Sequence, residues 1–347
     1  MKSKRAIVLT LAILAVSVLI SVIVTSFAEG SFNKKRNLTV VFYNVENLFD
    51  TKNNSGANDG EFTPEGANKW TEERYTKKVN DISKVLGSVN NNELPEIIGL
   101  CEIENRKVLD DLVKTKLLQE GNYEIEHFES PDFRGIDCAL LYRPDEFKVI
   151  KSTPVYVGFA DDPEYSTRDI LYVKGETRNK EEFHIFVNHW PSRIGGLEET
   201  EPKRMAVAGL LKSKIDSVQT QNPDANILVI GDMNDEPSNK SLNEILAAKS
   251  PEVTNAALVN LMYLVHTNKK GSYNYRGNWN MLDNIVVSAG LLDNKGFQCI
   301  ENQGYVFHEK WMEFEKGGEI SPNRTYGGPN YYGGVSDHFP VYIQLKR

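Results

Sequence analysis

The chain has 347 residues, 40% of them apolar and 25% charged, a globular composition with ample material for a large core. Its formal net charge of −8 and its pI of about 5.5 leave no whole-molecule positive field, which excludes a tight packager of nucleic acid. Transient encounters with a polyanion stay open, because bound divalent cations reverse the local sign.

Lys2, Lys4 and Arg5 precede an uncharged run from Ala6 to Ala28, and "SFA" stands before Glu29. This reads as an export signal within residues 1–30, or, given its length, as a membrane anchor over residues 6–28. Either way residues 31–347 work outside the cytoplasm, secreted or periplasmic in the first case and anchored in the second. Beyond "NKKRN" no Pro/Ser-rich linker or repeat divides the chain, so 31–347 reads as one α/β domain.

Strand-like runs recur in order: "LTVVFY", "EIIGLC", "IDCALLY", "EFHIFVN", "NILVIG", "LDNIVVS" and "FPVYIQL". Between them, "EERYTKKVNDISKVLGSV" after an N-cap Thr71 predicts a helix. So does "EPKRMAVAGLLKSKIDSV", with Val207, Leu210, Leu211, Ile215 and Val218 on one stripe. The irregular alternation fits layered sheets with outer helices. Thr51–Lys69 and Gly317–Gly334 read as long loops. Phe307, Trp311 and Phe314 stand at helical spacing, a stripe for burial or for a membrane surface. Cys101, Cys138 and Cys299 form no disulfide or thiolate metal pattern, and the first two lie in core-like runs.

Polar residues gather where the apolar runs end. One run exits into Asn44, Glu46 and Asn47, another into Glu102 and Glu104, a third into His189, and a fourth into Asp232, Asn234 and Asp235. Asp283 and the pair Asp337-His338 precede two further runs. Each cluster alone is an ordinary turn. Six together can share one pole of a sheet core, since the end of one strand lies beside the start of its antiparallel neighbour. Carboxylates and an amide are hard oxygen donors that suit Mg²⁺, Mn²⁺ or Ca²⁺ rather than Zn²⁺. His127, His184, His266 and His308 fall in no such cluster. The sequence has no nucleophile elbow, P-loop or H-E-x-x-H, which leaves metal-assisted attack by water.

In this order "YNVENLFD", "LCEIEN", "IDCALLYR", "NHWPSR", "GDMND", "LDNIVVS" and "SDHFPV" resemble the endonuclease/exonuclease/phosphatase superfamily, from Leu38 to Leu345. The resemblance implies a DNase I-like four-layer α/β sandwich, two central mixed β-sheets flanked by helices. It also implies a Mg²⁺- or Mn²⁺-dependent hydrolase of phosphoric esters. By position, Asn44, Glu46, Glu102 and Asp337 match the metal site, and His338 matches the general base oriented by Asp283. Asp232 and Asn234 match the pair that aligns the nucleophile and contacts phosphate, and His189 matches a donor to the phosphate. The family leaves the base open between histidine and aspartate, here His338 and Asp232. Glu46 is longer than the usual Asp, and "NHWPSR" replaces a His-Leu segment, so substrate fit is where this chain departs.

For substrate contact the candidates are Arg193 as a phosphate clamp and Tyr326, Tyr331 and Tyr332 as stacking platforms. The expected partner is a phosphoester, nucleic acid or nucleotide before phospholipid, acted on by a monomer without an obligate protein partner. A phospholipid or phosphoinositide hydrolase and a catalytically silent binding protein are the other readings.

Overall fold

The computed structural model describes residues 37–54 and 58–347. The expected signal or anchor, residues 1–30, lies outside the described residues. The strand-like runs become two seven-stranded mixed sheets. The first takes β1 (Leu38–Leu48), β2 (Ile97–Ile103), β3 (Glu124–His127) and β4 (Asp137–Tyr142). Here β1 is parallel to β2, and β4 lies antiparallel between β2 and β3. The last strand, Val341–Lys346, pairs antiparallel with the other side of β1, Val341 opposite Phe42. The second sheet takes β5 (Phe147–Val155), β6 (Ile170–Thr177), β7 (Glu182–His189) and β8 (Asn226–Asp232), with Asp283–Ser288 antiparallel to β8. The pair β7 and β8 is parallel.

A parallel neighbour demands a crossover, and each sheet has a helix to make it. Helix α1 (Glu72–Ser88) joins β1 to β2, α2 (Arg106–Val113) follows β2, and α3 (Leu197–Gln221) joins β7 to β8. The Thr71 hydroxyl accepts from Arg74 N at 3.4 Å and caps α1 as expected. Helix α3 begins at Leu197, earlier than its apolar stripe suggests, and takes Pro202 into its N-terminal part.

Three apolar clusters show the layers. One fills the space between the sheets and includes Val40, Phe42, Ile185, Val187, Leu228, Ile230, Ile285 and Val341. The opposite faces of the same strands bury against the helices. Val41 and Tyr43 meet Val79 and Ile82 of α1, while Ile227 and Val229 meet Leu211 and Ile215 of α3. The order helix, sheet, sheet, helix is the expected four-layer sandwich. Leu38–Leu345 forms one compact unit. Among the described residues no helix is long and apolar enough to cross a membrane.

Two expectations fail between Phe307 and Gly334. Instead of a helix, Lys310–Met312 make one 3₁₀ turn and Glu313–Lys316 pair antiparallel with Glu319–Pro322. Phe307 and Trp311 pack against the first sheet's outer cluster, while Phe314 is exposed. The stretch read as a loop thus holds part of this hairpin and a second one, Tyr326–Gly327 with Asn330–Tyr331. The turn of the first is Gly317-Gly318, with φ of 62° and 85°, a left-handed pair that glycine adopts without Cβ cost.

Candidate active site

Strand periodicity aims the site. Side chains of one face recur every second residue, so the stripes that fill the space between the sheets run on into polar residues at one end. Val40 and Phe42 are followed by Asn44, Ile185 and Val187 by His189, and Leu228 and Ile230 by Asp232. Asp283 precedes Ile285 and Val287. Registry brings the ends together: His189 lies opposite Asp232, and Asp232 opposite Asp283. The Asn44 amide crosses between the sheets and donates to Asp232 Oδ2 at 3.0 Å. Gly231 permits the close packing of β8 against β7, because a Cβ there would lie 2.4 Å from the Asn188 carbonyl oxygen.

Pure alternation does not place every group. The pairing of β1 with β2 shifts between Asn44 and Leu48, and that of β2 with β4 shifts between Cys101 and Ile103. At these bulges Glu46, Asn47 and Glu102 take φ of 49°, 52° and 63°, and Asn234 beyond β8 takes 48°. Left-handed backbone is unfavourable for such residues and persists where surrounding bonds fix it. Those bonds are present: Glu46 N donates to Asn44 Oδ1 at 3.0 Å, Asn47 N to Glu102 Oε2 at 2.8 Å, and Asn234 N to Asp232 Oδ1 at 2.9 Å.

His338 and Asp283 form a short buried contact, Nδ1 to Oδ2 at 2.6 Å. The Ser272 hydroxyl donates to the same Oδ2, and the imidazole is tilted against the Tyr273 ring at 4.9 Å. Burial disfavours charge on His338, but Asp283 overrides it and holds the imidazole well above the usual histidine value. The other nitrogen, Nε2, stands 3.8 Å from Asp232 Oδ2. Burial pushes Asp232 up to about 7, with His338 pulling it down and Asp283 raising it. Ligand atoms of Asp232, Asp283 and His338 all lie within 4.8 Å of one another, a spacing a metal would accept. The short Nδ1 contact instead makes Asp283 the orienting partner of His338 and leaves Nε2 facing Asp232.

Glu46, Glu102 and Asp337 make up a second acidic group, looser than the first and gathered around the buried Lys78 ammonium. Glu46 Oε2 and Oε1 accept from Thr325 N at 2.7 Å and Tyr326 N at 3.3 Å. Burial and then repulsion from Asp337 push Glu46 up to about 7, against the pull of Lys78. Burial would raise Glu102 too, but Arg134, 3.2 Å from its Oε2, brings it below the usual carboxylate value. Asp337 has Arg324 Nη2 at 3.6 Å. All donors are oxygens, and the repulsion between Glu46 and Asp337 is what a hard divalent cation relieves. The residues therefore suit a hard divalent cation.

Residues 39–347 match the model of the Endonuclease/Exonuclease/phosphatase family. The chain belongs to that family. Its fold is shared with a Bacteroides thetaiotaomicron mannosyl-6-phosphatase at 18% identity and TM-score 0.55, over 89% of this chain and 100% of that one. The human Nocturnin catalytic domain with bound sulfate anion gives 17% and 0.53, over 89% and 94%. D. rerio TDP2 complexed with single strand DNA product gives 13% and 0.54, over 90% and 99%. No curated protein matches the sequence.

In this family member His338, Asp283, Asp232 and Asn44 meet directly, and His189 joins them with Nε2 3.7 Å from Asp232 Oδ2 and 3.9 Å from Glu102 Oε1. Burial, then Arg168 and Arg134, hold His189 well below the usual histidine value, and its Nδ1 has no hydrogen-bond partner among the described residues. The Asn234 amide donates to Trp190 O at 3.0 Å. Arg193 is spread over Asn234 O, Asn280 Oδ1 and Asn239 Oδ1 at 2.6, 3.1 and 3.2 Å, so it braces the Asn234 turn. Tyr331 lies under the Arg74 guanidinium at 4.0 Å, and Tyr332 is exposed.

Sequence reasoning missed Lys78, whose buried ammonium donates to Thr325 Oγ1 at 2.5 Å and Val335 O at 3.1 Å. The signal was available, since Lys78 falls on the buried stripe Tyr75, Val79, Ile82 of α1. Arg134 and Ser272 gave no such signal, each being a single polar residue in a turn-like segment.

Proposed function

We propose that this protein is an exported, divalent-cation-dependent phosphodiesterase that cleaves nucleic acid or nucleotides by attack of water on phosphorus. The observation that carries the reading is the His338–Asp283 pair at 2.6 Å, with Nε2 turned toward Asp232 beside the acidic group. His338 takes the proton of the attacking water at Nε2, while Asp283 fixes the tautomer and stabilises the imidazolium. Asp232 orients that water or accepts the proton in its place. His189 and Asn234 donate to the phosphoryl oxygens, each contributing on the order of 10²-fold or more. Asn44, Glu46, Glu102 and Asp337 hold the cation, which when bound stabilises charge on the phosphoryl oxygens and on the leaving alkoxide.

Supporting a nucleic-acid substrate, the DNA-product complex of D. rerio TDP2 has the same fold. Export rests on the basic flank and the apolar run Ala6–Ala28. The test is hydrolysis by the purified protein of DNA, RNA, nucleotide diesters, mannose 6-phosphate, sphingomyelin and phosphoinositides, in Mg²⁺, Mn²⁺ or chelator. The proposal expects cation-dependent cleavage of a nucleic acid or nucleotide, abolished in His338→Ala. Activity indifferent to chelator, or confined to sugar or lipid esters, overturns it.

A further inference from the structure

Three hairpins meet beside the site around a cavity of about 400 Å³. The first pairs Tyr273–Tyr275 with Asn278–Asn280, and its turn, Arg276-Gly277, is left-handed at φ of 52° and 85°. Asn274 Nδ2 donates to Ile320 O at 3.3 Å and ties it to the Glu313–Pro322 hairpin. Phe314 of that hairpin stacks on Tyr332, centroids 6.3 Å apart, just after the third hairpin. Glu46 anchors the third hairpin through Thr325 N and Tyr326 N.

The cavity wall departs from the rest of an acidic surface in two respects. Tyr332, Tyr275, Phe314 and Ile320 line it at 54%, 52%, 45% and 38% exposure. Large apolar side chains left this open and contiguous mark a binding surface, whereas scattered ones do not. Arg276, Lys316 and Arg324 also line it against one acid, Glu319, in a chain of net charge −8. The Arg276 guanidinium lies 5.0 Å over the Tyr275 ring. Aromatic faces beside guanidinium groups suit a flat heterocycle carried on phosphates. An acyl chain would want an aliphatic wall.

Arg324 joins cavity to site. Its Nη2 is 3.6 Å from Asp337, whose neighbour His338 lies against the Tyr273 ring, centroids 4.9 Å apart. We infer that the cavity is a base-binding subsite, which stacks the nucleobase next to the cleaved phosphate on Tyr332 and Tyr275. Arg276 and Lys316 receive the following phosphate. The inference rests on the phosphodiesterase reading and names its substrate class, a single-stranded nucleotide chain with an unpaired base.

The test compares a dye-labelled thymidine tetranucleotide with the same backbone made abasic, by fluorescence anisotropy in chelator at low salt. The protein should bind the base-bearing ligand at least about tenfold more tightly, the worth of one stacked base. Tyr332→Ala and Tyr275→Ala should each lose about that factor on this ligand and none on the abasic one, while Tyr332→Phe retains it. Equal binding of both ligands, binding of neither, or unchanged binding in both alanine variants overturns the subsite. Hydrolysis of the two ligands in Mn²⁺ is followed in parallel. Equal cleavage of both, lost in His338→Ala, sinks the subsite and spares the phosphodiesterase, whereas base-dependent binding without cleavage does the reverse.

Discussion

Replacing Asp283 by Asn keeps the shape of the side chain and removes the charge that faces His338. Asp283 is fully buried, and its Oδ2 accepts both from Nδ1 at 2.6 Å and from the Ser272 hydroxyl. Removing one partner of a buried, hydrogen-bonded charge pair costs about 2–5 kcal/mol. The imidazolium that forms as water is deprotonated needs that partner most. The cost therefore falls on kcat, a loss of roughly 30- to 5,000-fold with KM little changed. The pH profile separates this cause from simple damage. Asp283 holds His338 above its usual value, and the base works only when deprotonated, so the acid limb of kcat should move to lower pH in Asp283→Asn. The assay is initial-rate hydrolysis of a chromogenic phosphodiester in saturating Mn²⁺ across pH. A kcat loss below about fivefold, or an acid limb that stays in place, would refute the reasoning.

Other consequences can be measured on the folded protein itself. Lys78→Met leaves the Val335 carbonyl without the ammonium that donates to it, while the Thr325 hydroxyl keeps its bond to Gly334 O, and should cost about 1–3 kcal/mol in urea denaturation; unchanged stability would show that the buried ammonium is dispensable. Gly231→Ala drives a Cβ against the Asn188 carbonyl and should cost about 1–3 kcal/mol and lower activity, whereas an unaltered melting temperature would contradict that packing. Burial pushes Glu104 up to about 8 and Glu96 up to about 7, from 4.5. Between 4.5 and those values the folded chain keeps protons that the unfolded chain has released, so this contribution to stability is full below about pH 4.5 and is lost as the pH rises toward about 8. Glu104→Gln should flatten that decline, and a wild-type melting temperature that climbs over the same range would reverse the sign.

The parts of this molecule legible in the sequence are those that repeat. Runs of β-branched and aromatic residues such as "LTVVFY", "EFHIFVN" and "NILVIG", bounded by turn residues, marked the strands, and the polar residues where they end marked Asn44, His189 and Asp232 as members of one pole. The stripes of α1 and α3 were legible for the same reason. Bulges carry no period, so the turning of Glu46 and Glu102 into left-handed backbone could not be read. Nor could the hairpins between Glu313 and Tyr331, whose strands have two to four residues, too few for alternation to show. Phe307, Trp311 and Phe314 fit helical spacing by coincidence, and the Gly317-Gly318 turn with its cross-strand pairing decides the local structure instead. The pairing of His338 with Asp283, 55 residues apart, followed from the family resemblance and from nothing local.

The central claim, that water attacks phosphorus at the His338–Asp283 pole, is tested most directly by isotope. A nucleotide phosphodiester is turned over once in H₂¹⁸O with Mn²⁺, and both products are analysed by mass spectrometry. The account predicts one ¹⁸O in the phosphate-bearing product, none in the alcohol, and no labelled product from His338→Ala or in chelator. Label in the alcohol, or a phosphate product formed without label, would contradict it.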